Sequence, residues 1–124
     1  MSTSGDEEYP CPCCGHLVFG EAPGSYEICP ICFWEDDAVQ LRWPDLDGGA
    51  NSVSLRRAQR NFEALGACDE SSRAHVRPPR VDEVVDAGWR VLTDADPVEQ
   101  PPGLFRRSAA WPSDLTTLYW WRAR

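Results

Sequence analysis

Two short runs, "CPCC" at 11–14 and "CPIC" at 29–32, constrain this 124-residue chain more than anything else in it. Each is a Cys-Pro-x-Cys turn, and fourteen residues separate Cys14 from Cys29. A two-residue gap lets one tight turn aim both sulfurs at one ion. Proline fixes φ in that turn, and Gly15 supplies the positive φ that often follows it. Two such turns complete a closed tetrahedron of thiolates at about 2.3 Å, with no position left for a substrate. The spacing therefore assigns Cys11, Cys14, Cys29 and Cys32 as the ligands of one structural Zn2+.

Iron held by similar turns is the less favoured ion. A disulfide scaffold or a redox Cys-x-x-Cys explains two matched pairs less simply than one metal does. A chain of this length buries a limited share of its surface, so a metal staple helps it fold. No secretory segment opens the chain, because "MSTSGDEEY" is polar and acidic. No apolar run approaches the ~20 residues a membrane helix needs. The expected compartment is the cytoplasm, where clustered cysteines are metal ligands rather than disulfides. Cys13 is out of register with the pair around it and is expected to pack beneath the turn. Cys68 reads as a buried small hydrophobe. His16 reads as a strand-start or surface histidine, with a hydrogen bond to the metal site as the alternative.

The fold class expected is α+β: a small zinc-ribbon-like β-hairpin carrying the two Cys-Pro-x-Cys knuckles, an amphipathic helix, and an aromatic-rich extension. "LVF" and "YEI" are β-prone and "APGS" between them is turn chemistry, which predicts one hairpin over 16–29. Residues 33–50 show no clean period and read as an ordered loop with one helical turn. Leu55, Ala58, Phe62 and Leu65 fall on one helical face. Ser54 or Asn51 can cap that helix, and Gly66 suits its C-terminal end. Arg57 stands where a capping box wants Glu or Gln, which weakens the start. Residues 69–80 read as a linker. Val81, Val84, Val85, Trp89 and Leu92 have helical spacing, although Gly88 weakens that helix. The end, "SDLTTLYWWRAR", fits a short helix by spacing and a strand by residue type. The division expected is 1–70 for the metal domain and 71–124 for an extension packed on it.

Residues 1–70 hold thirteen acids and four arginines, for −9, and residues 71–124 hold seven acids and eight arginines, for +1. Four thiolates around a divalent ion add about −2 to the first part. Phosphate backbones select basic grooves, so no nucleic-acid partner is expected, whereas a basic protein partner suits this charge. Binding or neutralising a basic protein, such as a toxin nuclease, is one concrete version. No membrane partner is expected, and the oligomeric state is not legible.

Three segments, "CPCCGH", "YEICPICFWEDD" and "GGANSVSLRRAQRNF", occur in this order and spacing. With them, residues 9–67 resemble the bacterial cysteine-rich CPCC domain family. The resemblance implies a small metal-binding domain and brings no activity with it.

It also draws attention to Trp34, Glu35, Asp36, Asp37 and Asn51 as a candidate binding site, for which a loop-forming role is the alternative. In the loop-forming reading Asp36 and Asp37 cap turns, Asn51 bonds backbone, and Trp34 and Trp43 cover the metal cluster. In the enzymatic reading, Glu35/Asp36/Asp37 with Asp45/Asp47/Asn51 hold a hard cation for a metal-dependent hydrolase. An EF-hand is excluded because Arg56 stands where its bidentate Glu belongs. No cysteine–histidine nucleophile pair, glycine-rich phosphate loop or HExxH motif is present, so no catalytic residue is assigned and a non-enzymatic module is preferred. Trp89, Trp111, Tyr119, Trp120 and Trp121 crowd the C-terminal part, among Arg106, Arg107, Arg122 and Arg124. They are expected to complete a core by docking on the acidic N-terminal half.

Overall fold

The computed structural model describes residues 7–102 and 110–122. The tail expected over 1–8 therefore falls mostly outside the described residues, as do Arg106, Arg107 and Arg124. Regular structure is sparse. Strand β1 (Tyr9–Pro10) pairs antiparallel with β2 (Leu17–Phe19), helix α1 spans Ala38–Arg42 and helix α2 spans Leu55–Leu65. Two 3-10 turns cover Glu70–His75 and Leu115–Leu118.

The single hairpin expected over 16–29 does not form. Instead each cysteine turn closes its own antiparallel pair. In the first, Cys11 N–H donates to the His16 carbonyl at 2.9 Å and Gly15 N–H to the Cys11 carbonyl at 2.6 Å. In the second, Cys29 N–H donates to the Trp34 carbonyl at 2.9 Å and Phe33 N–H to the Cys29 carbonyl at 2.8 Å. "LVF" thus pairs backward with Tyr9–Pro10, and "YEI" pairs forward, with Ile28 opposite Glu35. The two turns are structural copies down to the left-handed residue that follows each, Gly15 at φ 84° and Phe33 at φ 73°. Gly15 is required twice over, because a Cβ there would overlap the indole of Trp89 as well. Phe33 accepts the strained φ and uses its side chain, which stacks on His75 with ring centroids 5.0 Å apart. That stack anchors the 3-10 turn in a segment the sequence presented as a plain linker.

Helix α2 follows the sequence closely. Ser54, not Asn51, is its N-cap and accepts from Arg57 N–H, and Gly66 ends it in the left-handed conformation at φ 76°. Leu55 and Ala58 are buried and Phe62 packs partly against the core. The helix also holds both cysteine turns. Gln59 Nε2 donates to the Pro12 carbonyl at 2.9 Å, and Cys68 N–H, just past the helix, donates to the Cys32 carbonyl at 2.7 Å.

The helix expected over 81–92 is absent. Its stretch runs extended beside the first cysteine turn: Leu17 N–H donates to the Val84 carbonyl, Asp86 N–H to the Gly15 carbonyl, and Val85 lies opposite His16. Valines favour this conformation. A helix would also have needed a partner for its apolar face, yet Val81 is 98% exposed and Val84 and Val85 are among the exposed hydrophobics. Gly88, at φ 78°, turns the chain so that Trp89 covers Gly15.

The chain's end resolves into the 3-10 turn followed by an irregular segment whose aromatics pack inward. Tyr119 and Trp121 belong to the same buried cluster as the cysteines, Trp34, Leu55 and Ala58. Trp121 stacks on Tyr119 at 4.7 Å and meets Trp89 edge-on at 4.6 Å, while its indole N–H donates to Asp86 at 2.8 Å. Arg122 reaches the same Asp86 oxygen at 3.0 Å. Trp43, expected over the cysteine cluster, lies elsewhere. Its indole N–H donates to Glu99 at 2.9 Å and its ring packs edge-on against Trp111.

Candidate metal centre

Cys11, Cys14, Cys29 and Cys32 are brought together at the meeting point of the two turns, each at most 4% exposed. Their four sulfurs lie within 4.8 Å of one another. The pairs Cys11–Cys32 and Cys14–Cys29 stand at 3.6 and 3.7 Å. A regular tetrahedron of ~2.3 Å metal–sulfur bonds has edges of about 3.8 Å, so the cage fits a tetrahedral ion. Each close contact joins a cysteine of one turn to a cysteine of the other, so the ion would tie the two turns together. Among the described residues, this is the one grouping of three or more Cys, His, Asp or Glu side chains placed to hold a metal.

Electrostatics supports the need for a cation. Burial pushes the thiols of Cys11 and Cys32 well above their ordinary range, while hydrogen bonds from the Cys11, Cys14 and Cys32 sulfurs hold Cys29 far below it. The protein by itself favours negative charge on Cys29 and opposes it on Cys11 and Cys32. A metal cation bound by the four sulfurs would supply that stabilisation and release the protons. The backbone N–H of Ile31 also donates to Cys29 Sγ at 3.4 Å.

The other two cysteines stay out of the cage. Cys13 is buried beside it, and burial raises its thiol pKa. Cys68 is buried too, pushed up to about 12, with its sulfur 3.8 Å from Ser72 Oγ. Thiols in this state are poor nucleophiles. His16 does not approach the cage; its Nδ1 donates to the Glu83 carbonyl at 2.6 Å.

The acidic loop builds structure. Asp37 caps α1 through Val39 N–H and also accepts from Ala50 N–H, both at 2.8 Å. Asn51 mimics a strand partner for Glu35: its Oδ1 accepts from Glu35 N–H at 2.8 Å and its Nδ2 donates to the Glu35 carbonyl at 2.9 Å. Asp45 pairs with Arg56 at 2.6 Å, and Asp47 accepts from Ser54 N–H at 2.9 Å. Trp34 is fully buried against the cysteines. Among the described residues these carboxylates do not converge on a second ion site.

Asp36 accepts from Ser25 Oγ at 2.7 Å and from Ser25 N–H at 3.3 Å, and among the described residues no basic side chain pairs with it. Burial raises its pKa to about 6, the charge of Glu27 adding to the effect and the Ser25 hydrogen bonds opposing it. The proton is therefore held more tightly in the folded chain than in the unfolded one, where an aspartate titrates near 3.9. Its contribution to stability is full below about pH 4 and is lost as pH rises through 6. Asp36→Asn keeps an acceptor for Ser25 without the charge. In urea titrations of metal-loaded protein it is expected to be the more stable form at pH 8, by up to about 3 kcal/mol. The advantage should shrink toward pH 5; a pH-independent difference would mean that Asp36 titrates normally.

Two buried glutamines were not anticipated. Gln40 donates through Nε2 to the carbonyls of Leu46, Asn51 and Val53 and accepts from Asn51 N–H. Gly49 leaves it room, since a Cβ there would come within 2.7 Å of the Gln40 amide carbon. Gln59 joins the first cysteine turn to Leu92, whose N–H donates to its Oε1 at 3.0 Å. A signal for Gln59 was present: it lies four residues after Leu55, on the face the helix buries.

No curated protein matches the chain. The family model for "Cysteine-rich CPCC" matches residues 9–83. This reaches beyond the 9–67 marked by the sequence motifs and takes in Arg77 and Glu83, which pair at 2.8 Å. With more than half of its length under that model, the chain belongs to the cysteine-rich CPCC family.

Proposed function

We propose that this is a small cytoplasmic protein whose Zn2+ is structural and whose role is to bind another protein, most simply a basic one. The observation that carries the reading is the closure of the cage: four buried sulfurs complete a tetrahedron and leave no vertex for a substrate. Zinc suits a redox-inert cage of four thiolates, and a reducing compartment keeps those thiolates available. Of the five carboxylates that a hydrolase would need, four, those of Asp36, Asp37, Asp45 and Asp47, are engaged in hydrogen bonds or an ion pair within the fold. The charge of −8, made more negative by a zinc–tetrathiolate, favours a basic partner.

Elemental analysis of the protein purified without added metal is the direct test of the first half. One zinc per chain, resistant to dialysis, is expected; iron in its place would displace zinc from the reading. The second half is tested by titrating the zinc-loaded chain with a basic and an acidic protein of similar size. Salt-sensitive binding of the basic protein alone is expected, and no binding of either would refute the interaction role.

A further inference from the structure

The net charge is not spread over the chain. Residues 1–41 hold eight acids and no lysine or arginine, whereas residues 42–124 hold twelve acids and twelve arginines. All of the −8 therefore sits in the third that carries the metal cage. Among the described residues, every ion pair takes its carboxylate from position 45 or later.

Within that unneutralised part, the second cysteine turn has one open edge. Cys29 N–H and the Glu27 carbonyl point toward the returning strand, to Trp34 and Asp36. The N–H and carbonyl of Ile28 therefore point away from it, and they meet no partner among the described residues. On the opposite side the equivalent groups of Glu35 are covered by Asn51. The exposed edge also displays apolar side chains: Ile28 is 47% exposed and Tyr26 57%. Tyr26 stands at φ 63°, where two residues of one strand face Asp36 on the other. Glycine usually takes this left-handed bulge position. Phe33 bears a similar strain and uses its ring inside the fold; the ring of Tyr26 points to solvent. Ile28 and Glu35 are cross-strand neighbours, so their side chains share a face.

We propose that the Ile28 edge, flanked by Tyr26 and Glu35, receives an extended basic segment of a protein partner as an added strand. The partner's backbone bonds to Ile28 N–H and C=O, and its arginine or lysine side chains meet the carboxylates around the edge. A second copy of this chain is a poor occupant, because it would bring the same unpaired acids face to face. The other open edge, at Val85, is less suited to a basic strand: its flanking acids Glu83 and Asp86 are already paired with Arg77 and Arg122. This proposal rests on the interaction role and gives it a location and a partner chemistry.

The test uses the full zinc-loaded chain, 15N-labelled, titrated with a synthetic peptide of alternating arginine and valine, and with its glutamate–valine counterpart. The Ile28 amide is expected to shift saturably and become protected from exchange with the basic peptide alone, with weaker binding at high salt. Tyr26→Gly relieves the backbone strain, so it is expected to keep or raise Tm while weakening the basic peptide by about tenfold. Basic-peptide binding that maps elsewhere, or that is indifferent to Tyr26→Gly, would overturn the edge assignment and leave the interaction role standing. Equal binding of the acidic peptide, or a dimer formed through Ile28 in sedimentation, would overturn the basic occupant. No binding of basic peptide or basic protein would remove both proposals.

Discussion

Replacing Cys32 by serine is expected to release the metal and unfold the chain around both cysteine turns. Cys32 is fully buried, its sulfur lies 3.6 Å from that of Cys11 in the other turn, and its carbonyl receives Cys68 N–H from beyond α2. Apart from the shared buried cluster and the bonds from Gln59 and Cys68, regular structure adds little, since the sheet is one pair of strands two and three residues long. A two-stranded hairpin of that size is marginal on its own. Structural zinc contributes ~10–16 kcal/mol of apparent binding energy, against ~5–15 kcal/mol of net stability in a typical domain. Loss of a ligand therefore converts the folded protein into a largely unfolded one. Elemental analysis should find well under one metal per chain, and circular dichroism should show no cooperative unfolding. Cys13→Ala is the control: it removes a buried thiol outside the cage, should cost about 1–2 kcal/mol, and should leave one metal bound. Equal damage from the two substitutions would mean that Cys13, not register, decides the ligand set.

Deleting residues 100–124 is expected to cause aggregation rather than a smaller stable domain. Tyr119 is 1% exposed and Trp121 8%, and both sit in the cluster that includes the cysteines and Trp34. Aromatic side chains bury ~150–250 Å² each, which at ~25 cal/mol per Å² is about 8–12 kcal/mol for the two as an upper estimate. That is comparable with the whole stability of a domain this size. The deletion also strips Asp86 of Trp121 and Arg122, leaving a partly buried carboxylate without its partners. Size-exclusion chromatography and dye binding to exposed apolar surface would report the change. A monodisperse truncated chain with a cooperative transition would show that the family domain is stable without its extension.

How far the chain could be read depended on the range of each signal. The left-handed Phe33 followed from the Gly15 analogy only in retrospect, because a bulky residue at that position is uncommon and its reward, the stack on His75, lies 42 residues away. The valines of 81–85 carried a helical spacing that described nothing real. Their conformation was decided by backbone groups of Gly15 and Leu17, which no local pattern can announce. Gln40 looked like an ordinary polar residue, yet it is fully buried because three carbonyls and an amide converge on it.

By itself the sequence determined what is short-range: two Cys-Pro-x-Cys turns whose spacing picks out the four cysteines that cluster, and an α2 whose cap, buried face and left-handed end are all encoded within thirteen residues, 54–66. Only the tertiary structure decided which strands pair, that the stretch around Val85 lies beside the first cysteine turn, and which loop groups Asp36, Asp37 and Asn51 bond. These outcomes depend on contacts between residues far apart in the chain, where burial and backbone pairing outweigh local preference.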